Sequence, residues 1–130
     1  MNSRTRLLER AITYAERSVL DVTPALLPRP TPCRGWNLDM LLSHSCESLA
    51  ALHDGTVSRH IALIPGAPDR APGTGLAQIF RDRVGRLLAA QATAGGQRQA
   101  LDIGDLQLPA IAMECAGAIE IAADAPTPTC

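Results

Sequence analysis

Prolines and glycines cut this chain into four stretches long enough to be helices, and that punctuation constrains the fold more than any other feature. The 130 residues include ten of each, and they cluster. Thr23-Pro24 closes a first amphipathic stretch, because the residue before a proline is pushed out of the helical region. Pro28-Arg29-Pro30-Thr31-Pro32-Cys33-Arg34-Gly35-Trp36 holds three prolines and a glycine, so it reads as a stiff extended connection that turns at Gly35. Residues 65–75 hold three more prolines and three glycines and read as a loop. Gly95-Gly96 ends a third stretch, and Ala125-Pro126-Thr127-Pro128 ends the last.

Between these breaks the apolar residues recur at helical spacing. The first helix is expected from about Arg4 to Val22, with Leu7, Leu8, Ala11, Ile12, Ala15, Val19 and Val22 inward. Asn37 caps a second, which runs to about Asp54 and stops at Gly55, with Leu38, Leu41, Leu42, Leu49 and Leu52 as its stripe. A third spans about Leu76 to Ala94, with Ile79, Phe80, Val84, Leu87 and Leu88 inward. The fourth follows Pro109, a residue suited to a first turn, and places Ile111, Cys115, Ala118, Ile119 and Ala122 on one face. Residues 98–108 alternate weakly and read as a short hairpin or an extended crossover. The expected fold is therefore all-α, a four-helix bundle with long loops. It forms one domain over 1–124, followed by a Pro/Thr tail at 125–130. An up-down-down-up order with crossovers and a simple meander fit the pattern equally.

Composition removes several functions. Net charge is −1, which provides no electrostatic footprint for nucleic acid or an anionic membrane. Tyr14, Trp36 and Phe80 are the only aromatics, too few for a base-stacking platform. No apolar run approaches the ~20 residues of a membrane span. With no apolar leader near Met1, the expected location is cytoplasmic. The cysteines Cys33, Cys46, Cys115 and Cys130 form no C-x-x-C pair, so a zinc finger is not expected and reduced thiols are.

Two features hold potential chemistry. His44 borders the core-facing stripe of the second helix, either as a satisfied interior histidine or as a ligand or base. Glu120 lies in the apolar run Ala118-Ile119-Glu120-Ile121-Ala122, where a buried carboxylate needs a partner. Asp124 follows four residues later on the same helical face, and the repulsion between the two carboxylates is relieved by a cation. The plainer reading of Asp124 is a solvated helix end. His53 and His60 read as solvated, and Cys46, two residues past His44, falls on a different helical face.

The string Thr31-Pro32-Cys33-Arg34-Gly35-Trp36-Asn37-Leu38, followed by Leu41-Leu42-Ser43-His44, resembles the signature of the DinB-like metal-binding domain of mycothiol-dependent maleylpyruvate isomerases. Leu7 to Ala11, the Thr23-Pro24 break and Ala118 to Ala122 fall where that family places similar segments. The resemblance implies a DinB-like four-helix bundle. It also implies one divalent metal, usually zinc, held by a His, a Glu and a second His. The first His matches His44 and the Glu matches Glu120, but the second His position is Asp124. The family continues with H-G-W-D and a further helical region, whereas this sequence turns to Ala125-Pro126-Thr127-Pro128-Thr129-Cys130.

His44, Glu120 and Asp124 make a three-ligand set with open positions. With Zn²⁺ that set brings the centre to zero charge, against +1 for one Glu and two His, so a bound water or thiol is acidified less. The added oxygen donor also suits Mn or Fe, and Ni is a further candidate. The implied activity is a metal- and thiol-dependent isomerase or S-transferase using mycothiol or a related small thiol, held as thiolate. Two alternatives stand beside it. One is a metal- or small-molecule-binding bundle without catalysis. The other is a structural bundle that has lost the metal and pairs as a homodimer through apolar surface on its third and fourth helices.

Overall fold

Four α-helices and three short strands make up the described part of this computed structural model, which comprises residues 3–31, 33–62, 75–94, 100–103 and 106–124. Most of the expected 65–75 loop, the Gly95-Gly96 stop, residues 98–99 and 104–105 of the expected hairpin, and the 125–130 tail lie outside those residues.

Helix α1 spans Ser3–Val19, and a 3-10 turn over Pro24–Leu26 follows it. It ends three residues before the expected Val22. Its buried line is Leu8, Ala11, Ile12, Ala15 and Val19, while Leu7 is 46% exposed and not inward as expected. Helix α2 spans Leu38–Ser58. The Asn37 side chain accepts from the Met40 amide at 2.9 Å and satisfies one donor of the first turn. Gly55 does not stop α2, contrary to expectation. It is buried inside the helix, where a Cβ would run into the Met113 sulfur and lie 3.1 Å from Ile61. The helix stops instead at Arg59, whose φ of 58° turns the chain sharply away. That left-handed conformation costs a residue with a Cβ about 1 kcal/mol. The Arg59 carbonyl then accepts from the Asp102 amide at 2.9 Å, joining the turn to the next layer.

That layer is a small sheet. Strands β1 (His60–Ile61), β2 (Ala100–Ile103) and β3 (Leu106–Pro109) lie in the order β1-β2-β3. β1 pairs parallel with β2, and β2 antiparallel with β3, with Ala100 opposite Pro109 and Ile103 opposite Leu106. The hairpin reading is thus the observed one, and the all-α expectation becomes a mostly helical fold with a sheet attached. Strands of two to four residues are too short for a period-2 pattern to stand out.

Helix α3 spans Leu76–Ala94, as expected, and α4 spans Ala110–Asp124. α2 packs between α3 and α4, and α1 closes the ring against the same two helices. Cross-contacts fix the directions. Cys46 on α2 meets Leu76, and Thr56 ten residues on meets Gln91, so α2 and α3 run parallel. Ser48 meets Glu120, Leu52 meets Gly117 and Gly55 meets Met113, so α2 and α4 run antiparallel. Parallel neighbours cannot be joined by a tight turn, which accounts for the long connection through β1.

The core between the helices contains Phe80, Leu8, Ile12, Leu42, Leu49 and Leu87, each at most 1% exposed. On α4 the buried residues among those described are Met113, Gly117, Ala118 and Ile121; of the expected face Ala118 is buried and Cys115 half-buried, while Ala122 is exposed and Ile119 is 69% exposed. A nearly uniform apolar helix has no periodic contrast to read. Its inward face is set by Gly117, whose missing side chain lets Leu52 approach.

Candidate functional site

Within the Pro-rich connection, Thr31, Cys33 and Trp36 are tied together through the Thr31 hydroxyl and two backbone bonds. Thr31 Oγ1 donates to the Trp36 carbonyl at 2.8 Å and accepts from the Cys33 amide at 3.2 Å. The Trp36 amide returns a bond to the Cys33 carbonyl at 3.1 Å, and the Thr31 amide donates to the Trp36 carbonyl at 3.1 Å. Gly35 supplies the reversal with φ of 81°, a region that costs glycine almost nothing. Leu38 and Asp39 amides then bond back to Arg29 and Leu27 carbonyls, both at 2.9 Å, and fix how α2 enters.

This turn delivers the Trp36 ring against His44, with centroids 5.3 Å apart and planes at 71°. Edge-to-face geometry of this kind holds a ring's orientation. Met40, His44 and Ser48 follow at four-residue intervals along α2 and share one stripe, and Trp36 lies just before the N-cap. His44 lies beside the core rather than in it, since its side chain is 39% exposed.

From the neighbouring helix, α4 brings Glu120 to the same place. His44 Nε2 lies 3.2 Å from Glu120 Oε1, and Ser48 Oγ donates to that same oxygen at 2.6 Å. The Glu120 side chain is 45% exposed, so the expectation of a buried carboxylate is corrected. The apolar run around it is explained by α4 being small and apolar on its outer face too. Asp124 is the last residue of α4. The antiparallel pairing of Ser48 with Glu120 carries its backbone position one turn on, toward the level of His44. Its side chain is outside the described residues.

Two of the three expected ligands therefore meet. Two donors bound to one tetrahedral zinc at their usual lengths stand about 3.4 Å apart. The observed 3.2 Å matches that edge as well as it matches a direct hydrogen bond. The donor types, an imidazole nitrogen and a carboxylate oxygen, suit zinc and other first-row divalent ions. Among the described residues no group of three or more His, Cys, Asp or Glu is assembled for a metal, so a third protein donor rests on Asp124.

Other residues take plainer roles. Cys46 is 3% exposed and its thiol faces the Leu76 carbonyl, well away from His44, as helical spacing requires. Arg83 Nη1 donates to the Cys46 carbonyl at 2.7 Å and ties α3 to α2. His53 lies within α2 and pairs loosely with its neighbour Asp54 at 3.9 Å, and His60 is exposed. Cys33 forms a disulfide while Cys46 and Cys115 are free thiols, which corrects the expectation of four reduced cysteines.

Sequence reasoning missed Ser48 and assigned no role to Trp36. Ser48 lies four residues after His44 and Trp36 eight before it, outside the helix, and neither spacing marks a role until the facing helix is placed. No helix among the described residues is long and apolar enough to cross a membrane. Compared with known proteins, the sequence matches no family model and no curated relative.

Proposed function

We propose that this chain is a DinB-like helical domain that binds one divalent cation, zinc first among the candidates, through His44, Glu120 and Asp124. The observation that supports it is the convergence of His44 Nε2 and Glu120 Oε1 from two helices to 3.2 Å, at a surface open to a ligand. When bound, the ion would supply Lewis acidity and a positive charge that favours the thiolate form of a small thiol. The chain's own part is orientation. The Thr31 turn fixes Trp36, Trp36 fixes the His44 ring, and Ser48 fixes the Glu120 carboxylate. His44 Nε2 presents a lone pair only in its neutral form with the other ring nitrogen protonated. The reading includes mycothiol or a related thiol as co-substrate, in an isomerase or S-transferase reaction, and a cytoplasmic location. The Cys33 disulfide is the one feature that runs against a reducing compartment.

A second reading has an observation of its own. His44, Ser48 and Glu120 already satisfy one another, and a hydrogen-bonded link between α2 and α4 needs no ion. In that case the domain is a packing or pairing module. Elemental analysis of untagged protein separates the two. The metal reading expects about one equivalent of a divalent metal per chain, lost in Glu120→Ala. Metal-free wild-type protein that also takes up none on addition of zinc leaves the packing reading.

A further inference from the structure

We propose that Ser48 is a positioning residue for this centre: it holds Glu120 Oε1 beside His44 Nε2, where the two atoms can share a divalent cation. The proposal rests on the metal reading above and adds a residue from outside the expected ligand set. Ser48 follows His44 by one helical turn, so the two side chains reach α4 at neighbouring points. Both converge on the same oxygen, Ser48 Oγ at 2.6 Å and His44 Nε2 at 3.2 Å. The serine contact has the short length of a charge-assisted hydroxyl–carboxylate bond.

The two contacts differ in what happens on ligation. His44 must turn its Nε2 lone pair to the cation, and a nitrogen that does so no longer donates to Glu120. The Ser48 hydroxyl has no such conflict and stays on Oε1. A carboxylate oxygen has two lone pairs, so Oε1 can keep the Ser48 bond and turn the other to the cation. A glutamate has several rotatable bonds, and this one is 45% exposed. A hydroxyl clamp removes that freedom before the ion arrives. Partners of this kind, hydrogen-bonded to a ligating group, typically change metal affinity by about 10–100-fold when removed.

Trp36 makes the test direct. It is the single tryptophan of the chain and its ring lies 5.3 Å from that of His44. Ni²⁺ or Cu²⁺ bound at His44 therefore quenches its emission. Ni²⁺ is titrated into the full untagged chain as wild type, Ser48→Ala, Ser48→Thr, Ser43→Ala and His44→Ala, with melting temperatures recorded for each. Ser43 is the control because its hydroxyl donates to Asp39 instead, at 3.2 Å. The expected result is a dissociation constant raised about 10–100-fold in Ser48→Ala. Ser48→Thr keeps the hydroxyl and stays within about 3-fold of wild type, under 1 kcal/mol. Ser43→Ala is unchanged and His44→Ala loses saturable quenching. If Ser48→Ala binds Ni²⁺ like wild type while melting lower, Ser48 is a helix bridge only and the proposal is overturned with the metal reading intact. If wild type itself shows no saturable quenching, the metal reading fails and takes the proposal with it.

Discussion

Replacing two helical glycines by alanine separates local propensity from helix packing in one experiment. Gly85 lies in α3 with nothing within 4 Å of the position a Cβ would take. Gly117 lies in α4, where that Cβ would sit 2.6, 2.9 and 3.3 Å from Cδ2, Cδ1 and Cγ of Leu52. Alanine is better than glycine inside a helix by about 1 kcal/mol, and both sites gain that. At Gly117 the gain is opposed. Leu52 is only 6% exposed, and its branch carbon is within reach of the clash as well as both methyls, so rotation alone does not relieve it. Relief needs α2 and α4 to part by roughly half an ångström to an ångström, and overpacking of this kind costs about 1–3 kcal/mol. Gly85→Ala is therefore expected to stabilise by about 1 kcal/mol, and Gly117→Ala to fall about 1–3 kcal/mol below it. Urea unfolding followed by circular dichroism at 222 nm measures both. Equal stabilisation by the two substitutions would refute the claim that Gly117 sets the α2–α4 spacing. The same spacing brings Ser48 and His44 to Glu120, so Gly117→Val should also weaken metal binding.

Further outcomes follow from individual contacts. Phe80→Ala empties the largest side chain of the core, 1% exposed, and should cost about 3–5 kcal/mol in the same unfolding assay. Thr56→Val removes the acceptor of the buried Gln91 amide, a 3.1 Å bond, and should cost about 1–3 kcal/mol, whereas Thr56→Ser, which keeps the hydroxyl, should cost less. Thr31→Ala frees the turn that carries Trp36, costs about 1 kcal/mol and shifts the tryptophan emission, with no shift expected from the exposed Thr13→Ala. Thiol labelling of the unfolded, unreduced chain should modify Cys46 and Cys115 and leave Cys33 unmodified until reduction.

Legibility followed contrast. α3 was readable to its ends because polar and apolar residues alternate sharply along it and Gly-Gly follows. The α2 start was readable from Asn37, but its end was not, since Gly55 looks the same in sequence whether it stops a helix or admits Met113. The inward face of α4 was hidden by its uniform apolar character, and the strands by their brevity. At the site, the pairing of His44 with Glu120 follows from which helices are neighbours, which single-helix periodicity does not contain. The resemblance to the DinB-like family named both residues, and the geometry brings them together. Ser48 was invisible because a serine on a half-exposed helix face is ordinary until the facing helix supplies a carboxylate.

Calorimetric titration of zinc into chelator-stripped, untagged protein decides whether His44 and Glu120 share a cation. One site per chain is expected in wild type, and no measurable heat of binding at that site in His44→Ala or Glu120→Ala with both variants still folded. Wild-type protein that takes up no zinc, or a His44→Ala variant that binds it as tightly, would contradict the account and leave the contact as a link between two helices.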